Sequence, residues 1–245
     1  MSGPHDDAAG SRVTVARTTL AEQVAAGLIR EIERMGLQVG DEIPPEGEIA
    51  REFGVNRLAV REAIRTLSAR EILVSSQGRP ARVSTPSAGV LAQMLDFRVR
   101  QQSLDLEDIL DTRRVVECEL ARLAALRVGE GTAEASAAAA LLDEMAQSVT
   151  DMDRFVELDV RFHAAIAEAA DTRLLQLILV SLESVLLRAR RSTFAARESR
   201  GEGHKAALTA HRTILQAIED GDPDKAASAM EEHLRETRRD VDQDD

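Results

Sequence analysis

The chain has 245 residues, enough for two domains with cores of their own. Hydrophobic residues make up 44% of it, yet Trp and Tyr are absent and Phe occurs five times, so the core has to be aliphatic, as a helical bundle allows. No apolar run approaches the ~18 residues of a membrane span, and the single Cys118 excludes an internal disulfide and fits a reducing, cytoplasmic setting.

In chain order, residues 1–17 lack the apolar stretch of a secretory signal and read as a disordered tail. Thr19-Leu-Ala-Glu22 fits a capping box, and Leu20, Val24, Leu28 and Ile32 follow at helical spacing until Gly36. The turn-rich GDEIPPEG comes next. A short helix is predicted from about Glu46 to Phe53, with Gly54 as its C′ residue. Asn56 suits the N-cap of a helix over about 57–69, which carries Val60, Ile64 and Leu67 on one face. The runs 72–75 and 81–84 alternate like short strands around SQGRP, a hairpin-sized wing.

TPSAG (85–89) marks a linker, and beyond it only helical periods occur. Helices are predicted over about 90–101, 105–128, 132–148, 151–169, 172–198, 204–220 and 223–240, with Asp171 as one N-cap and Asp222-Pro223 as N-cap and N1 of the last. The expected architecture is mainly α. A winged helix-turn-helix spans 18–85, a linker and connecting helix 86–104, and an all-helical antiparallel bundle 105–241.

Charge divides along the same line. Residues 50–85 hold seven Arg against three Glu, while 87–245 hold 20 basic against 31 acidic residues. Screening confines each charge to roughly 8–10 Å, so a small basic patch on an acidic body still binds phosphate. Arg57 and Arg61 sit one turn apart at the start of the second helix, where a recognition helix meets base edges, and Arg suits guanine and phosphate alike. Asn56 and Arg65 belong to the same end and stripe, and Arg79 and Arg82 lie in or beside the wing, giving six candidate DNA contacts. The competing reading is a solvated face in which these Arg residues pair with Glu52 and Glu62.

The stretch IPPEGEIAREFGVNRLAVREAIRTLSAREIL with the following GRPARV resembles the winged-helix domain of the GntR superfamily of bacterial regulators. The resemblance implies double-stranded operator DNA as partner, with Arg57 and Arg61 at the family's contacting positions. Pro45, Gly47, Leu58 and Ala59 depart from the family's usual Ser, Arg, Thr and Pro, which points to an unusual operator preference. Two equal modules reading a palindrome imply a homodimer.

Asp159 and His163 are spaced i, i+4 and so share a helix face, while His211 and His233 fall on the last two helices. Three imidazoles and one carboxylate suit a divalent metal such as Zn²⁺, Ni²⁺ or Mn²⁺. From spacing alone, satisfied core histidines remain the alternative. Residues 105–235 resemble the FCD effector domain of the FadR subfamily within GntR: DILDTRRVVECELARLAA matches its opening helix, LDVRFHAAIAEAADTRLL its Asp-x-x-x-His helix and HRTILQAIEDGDPDKAASAMEEHL its last two helices. That resemblance implies metal ligation by Asp159, His163, His211 and His233. It also implies a small organic acid held beside the metal by Arg113, for which the competing role is an ion pair with Glu117. Arg188 is a second, weaker pocket candidate, and His204, after a Gly-rich turn, is expected to face solvent.

The expected function is thus a metabolic regulator, most simply a repressor, controlled by a small carboxylate. One alternative keeps the DNA binding but makes the metal structural and the ligand a larger acyl group or unknown. A metal-dependent enzyme is the remote third: no general base faces the site, no Cys nucleophile or phosphate-binding Gly loop occurs, and the paired Glu-x-x-His of di-iron bundles is missing.

Overall fold

The structure is a computed structural model that describes residues 18–76, 79–199 and 204–242; the expected N-terminal tail and the wing tip at 77–78 lie outside them. The chain divides into two units, residues 1–86 and 87–245.

The first unit holds α1 (Leu20–Met35), α2 (Glu46–Glu52), α3 (Arg57–Ala69) and the antiparallel strands β1 (Leu73–Val74) and β2 (Arg82–Val83). Helix α1 starts on the expected capping box, in which Thr19 accepts from the Glu22 amide while Glu22 accepts from Thr19. It ends at Gly36, whose left-handed φ of 66° returns its N–H to the last turn. Between α2 and α3, Gly54 at φ 64° makes the tight corner that a Cβ would strain. The Asn56 side chain then accepts from the Ala59 amide at 2.9 Å and caps α3.

Val24, Leu28, Ile43, Ile49, Val60, Ala63, Leu67, Leu73 and Ala81 make one core, so both helix-turn-helix helices rest on α1 and the wing. The strands are shorter than the sequence runs. Residues 40–43, expected as turn, pair with β2 instead: Gly40 N–H donates to Val83 O, Val83 N–H to Asp41 O and Ile43 N–H to Ala81 O. This extended backbone was hidden in the sequence by its Gly and Pro residues.

The second unit contains α4 (Ala88–Arg100), α5 (Leu106–Gly129), α6 (Ser136–Gln147), α7 (Met152–Ala170), α8 (Arg173–Ser199), α9 (Lys205–Glu219) and α10 (Pro223–Asp242). Helix α5 is the hub, packed against α7, α8, α9 and α10; α6 covers α7 and α9, and α4 lies on α8. Ala121, Ala124 and Ala125 on α5 are fully buried, small residues that let neighbouring helices come close. At its end Gly129 meets the α9–α10 turn so tightly that a Cβ on Gly221 would stand 2.8 Å from the Gly129 Cα.

Two helix starts differ from expectation. Helix α6 begins at Ser136 because Gly131, at φ 70°, turns the chain after α5 and Thr132 N–H folds back to Arg127 O. Asp171 is not the N-cap of α8. It closes α7 in a left-handed conformation at φ 51°, which moves the start of α8 to Arg173. Asp222, by contrast, accepts from the Lys225 amide at 3.1 Å ahead of Pro223, as its sequence suggests.

Candidate metal centre and nucleic-acid interface

Three helices converge in the bundle. Asp159 and His163 come from one face of α7, His211 from α9 and His233 from α10, and all four are buried. Taking one ligand atom from each, every pair lies within 4.8 Å. The rings of His211 and His233 are 4.5 Å apart between centroids, and each is within 5.4 Å of that of His163. His211 Nε2 stands 3.3 Å from Asp159 Oδ1, and His163 Nε2 stands 3.9 Å from the same oxygen.

Buried polar atoms normally have partners, and an unmet one costs about 1–3 kcal/mol. Here Nε2 of His163 and both ring nitrogens of His211 lie buried without a well-formed hydrogen bond. The two Nε2 atoms, both facing Asp159 Oδ1, fit a metal ion as their missing partner. The donor set, three nitrogens and one oxygen, suits Zn²⁺ and its neighbours rather than Ca²⁺ or Mg²⁺.

Protonation agrees with ligation. Burial, followed by the neighbouring His211 and His163, lowers the His233 pKa well below its ordinary value. Burial likewise lowers that of His163 against the pull of Glu117. Burial works to raise the Asp159 carboxyl, but the Arg190 charge, the His211 contact and the neighbouring His163 outweigh it and hold the group well below the carboxylate range. The centre therefore offers the neutral imidazoles of His163 and His233 and an ionised carboxylate.

A ring of charge encloses the ligands. The Glu117 carboxylate on α5 receives His163 Nδ1 on one oxygen and Arg113 Nε on the other, and Arg113 is only 2% exposed. Arg113 therefore takes its competing role, the ion pair with Glu117, while also bordering a small void shared with Asp159, Arg190 and His233. Arg190 on α8 places Nε 3.1 Å from Asp159 Oδ2. Arg190 was missed in the sequence, and Glu117 was read there only as a partner of Arg113, not of His163. The buried stripe Leu182, Leu186, Arg190 and Phe194, four residues apart, is a signal that would have found Arg190. The side chain of Arg188 lies outside the described residues.

His204 corrects an expectation. It is buried rather than solvent-facing, because its ring stacks on Phe155 at 4.7 Å and meets Phe194 edge-on at 5.1 Å.

In the first unit, Arg57, Arg61, Arg65, Arg79 and Arg82 are all exposed. Arg61, Arg65 and Arg79 line one groove with Pro45, Glu46 and Ser76, between α2, α3 and the wing. Their restraints differ. Arg61 reaches Glu46 at 3.2 Å, Arg65 pairs with Glu62 at 2.6 Å, and the Arg57 guanidinium lies over Gly47, 3.2 Å from where a Cβ would stand. Arg82 donates to Gly40 O at 2.9 Å and pairs with Glu42, which makes it a strut of the wing. Asn56 spends its side-chain oxygen on the helix cap. Leu58 projects from the first turn of α3, 66% exposed.

Comparison with known proteins agrees with both halves. The profile described as "Bacterial regulatory proteins, gntR family" matches residues 20–83, and the FCD domain matches 108–236. The chain is 31% identical over 226 residues to the HTH-type transcriptional repressor NanR of Cronobacter sakazakii, covering 91% of this chain and 85% of that one. It is 32% identical over 228 residues to NanR of Salmonella newport, again covering 91% and 85%. Among solved structures, Streptococcus agalactiae GntR superposes with a TM-score of 0.63 at 26% identity, over 89% of this chain and 99% of that one.

Proposed function

The chain belongs to the GntR family of bacterial regulatory proteins and is a DNA-binding transcriptional regulator, not an enzyme; from that premise we propose that it is a metal-dependent repressor controlled by a small carboxylate. One observation carries the metal: three imidazoles and a carboxylate, all buried, offer ligand atoms within 4.8 Å of one another. Asp159, His163, His211 and His233 hold the ion, with Zn²⁺ the first choice and Ni²⁺ or Mn²⁺ the others. Bound there, the ion acts as a Lewis acid that accepts an anionic oxygen.

The charge balance supports an acidic effector. Arg113 and Arg190 offset Glu117 and Asp159, so a divalent ion leaves two positive charges uncompensated in a buried site. Buried charge is costly unless paired, and a carboxylate supplies both countercharge and acceptor oxygens for a guanidinium fork. The effector acts by binding one arrangement of a homodimer better than another, which changes the fit of two recognition helices to a palindromic operator. No described helix is long and apolar enough to cross a membrane, in keeping with a cytoplasmic regulator that meets DNA directly.

A second reading rests on how tightly the site closes. Two voids beside the ligands offer only about 10 Å³ each to a water molecule's centre, which suits an ion that merely braces three helices while a larger or unknown ligand acts elsewhere.

Elemental analysis of untagged protein tests the proposal beside a His163→Ala control. We expect about one metal ion per chain in the first, as a site with one set of four ligands requires, and its loss in the second. No metal in either after incubation with Zn²⁺, Ni²⁺ or Mn²⁺ overturns it. Release of operator DNA by small organic acids from the metal-loaded protein then separates the regulatory ion from the bracing one.

A further inference from the structure

A centre whose four ligands are all 5% exposed or less needs a way in. The surface between α4, α7 and α8 carries a cleft of about 680 Å³, with Ala88, Gly89 and Ala92 of α4 forming one wall. Behind it lies one of the two small voids, bordered on its inner side by His163 and Arg190. Cleft and void share three residues, Val160 of α7 and Val180 and Glu183 of α8. Cleft and void are thus separated by a single layer of side chains, and the void reaches the centre at His163. Glu183 is the carboxylate in that layer.

We propose that the divalent ion enters and leaves the buried centre through this cleft, with Glu183 as its transient ligand at the inner threshold. The inference rests on the metal reading above and adds a route to it. Size selects the traveller: a void with about 10 Å³ of room for a water molecule's centre holds about one water. An ion shedding part of its hydration passes such a space. An organic acid does not, unless the helices part.

Charge supplies the reason for a carboxylate at this point. Arg190 faces the same void and would repel an incoming cation. Asp159 neutralises it from the ligand side, and Glu183 lines the cleft as well as the void, where burial raises its carboxyl pKa and the Arg190 charge works against that rise. Val160 and Val180 close the remainder of the layer with apolar surface, so within that layer the side-chain oxygen comes from Glu183, inward of Asp151, Asp153 and Glu157 on the cleft.

A residue passed in transit changes the barrier and not the end state, so both rates alter while the equilibrium holds. Zn²⁺ is the test ion, with uptake by the full chain and release to a chromogenic chelator both timed. Glu183→Gln keeps the shape and removes the charge. It should slow uptake and release together by about tenfold or more, with affinity within about threefold of the wild type. Val180→Phe, which fills the shared wall away from the ligands, should slow both as well. Unchanged rates in the two variants overturn the route, and an affinity loss in Glu183→Gln as large as its rate change makes Glu183 part of the final site and overturns it too. Failure of the wild type to take up Zn²⁺ overturns the metal reading and the route with it.

Discussion

His163 turns its Nδ1 to the buried Glu117 carboxylate, which leaves its Nε2 facing Asp159 and the other imidazoles. Such a contact fixes the tautomer: the proton sits on Nδ1 and the lone pair on Nε2 points where an ion belongs. Arg113 holds the second oxygen of Glu117, so α5 steadies α7 through a chain of three side chains.

The first prediction follows from that chain. Glu117→Gln keeps the volume but weakens the acceptor, and metal affinity should fall by about 10–100-fold, the usual cost of an altered outer-shell partner. Competition with a chelator of known affinity measures it. Affinity equal to the wild type's would make Glu117 a partner of Arg113 alone.

The DNA-facing arginines give the second. Arg57→Ala and Arg61→Ala should each weaken operator binding by about 1–3 kcal/mol, with little effect on folding because both side chains are exposed. Labelled operator in a gel-shift or anisotropy assay reads the loss, since the chain has no Trp to report binding. Arg82→Ala should behave differently: it releases the wing from Gly40 and Glu42 and lowers stability as well as affinity. Equal binding by the Arg57 and Arg61 variants and the wild type would reject the docking.

Much of this was legible in the sequence, for reasons that differ by residue. The four ligands stood out because His is rare here, five in the chain, and two ligands share a helix face at i, i+4. The helix-turn-helix was written in local signals: Gly54 at the corner and Asn56 at the cap. Arg190, and the contact of Glu117 with His163, escaped because a charged residue on a helix is taken as solvated or locally paired until its neighbours are known, and those neighbours come from other helices. His204 escaped for the same reason, since Phe155 and Phe194 lie some distance away in sequence and cover it only in the fold.

The third prediction concerns pH in metal-free protein. His233 and His163 have folded pKa values below their ordinary 6.5, so the unfolded chain takes up protons that the folded one refuses. Stability is therefore full above that value and declines as pH falls through it, by up to about 1.4 kcal/mol per pH unit for each histidine until its folded pKa is reached. Asp159 and Glu117, lowered from 3.8 and 4.5, contribute stability that persists above those values and is lost only in stronger acid, as pH falls through their folded pKa. Urea midpoints between pH 8 and pH 5, after chelator treatment, should slope downward toward acid, and His233→Gln should flatten the slope. A flat profile in the wild type would mean the imidazoles accept protons inside the fold.

The fourth prediction separates the two buried arginines. Arg113 is committed to Glu117 through Nε and borders the void that Asp159, Arg190 and His233 also line. Arg190 is committed to Asp159, a ligand residue. Arg113→Lys keeps a charge for Glu117 but loses the planar fork, so the effector concentration for half-release of operator should rise about tenfold or more while metal content stays near that of the wild type. Arg190→Lys, acting on Asp159, should lower metal occupancy and effector response together. Elemental analysis and an operator-release titration on the same preparations read both quantities. If Arg113→Lys leaves the titration unmoved, Arg113 serves only to hold Glu117 against His163, and the carboxylate of the effector has to be met by the metal and Arg190.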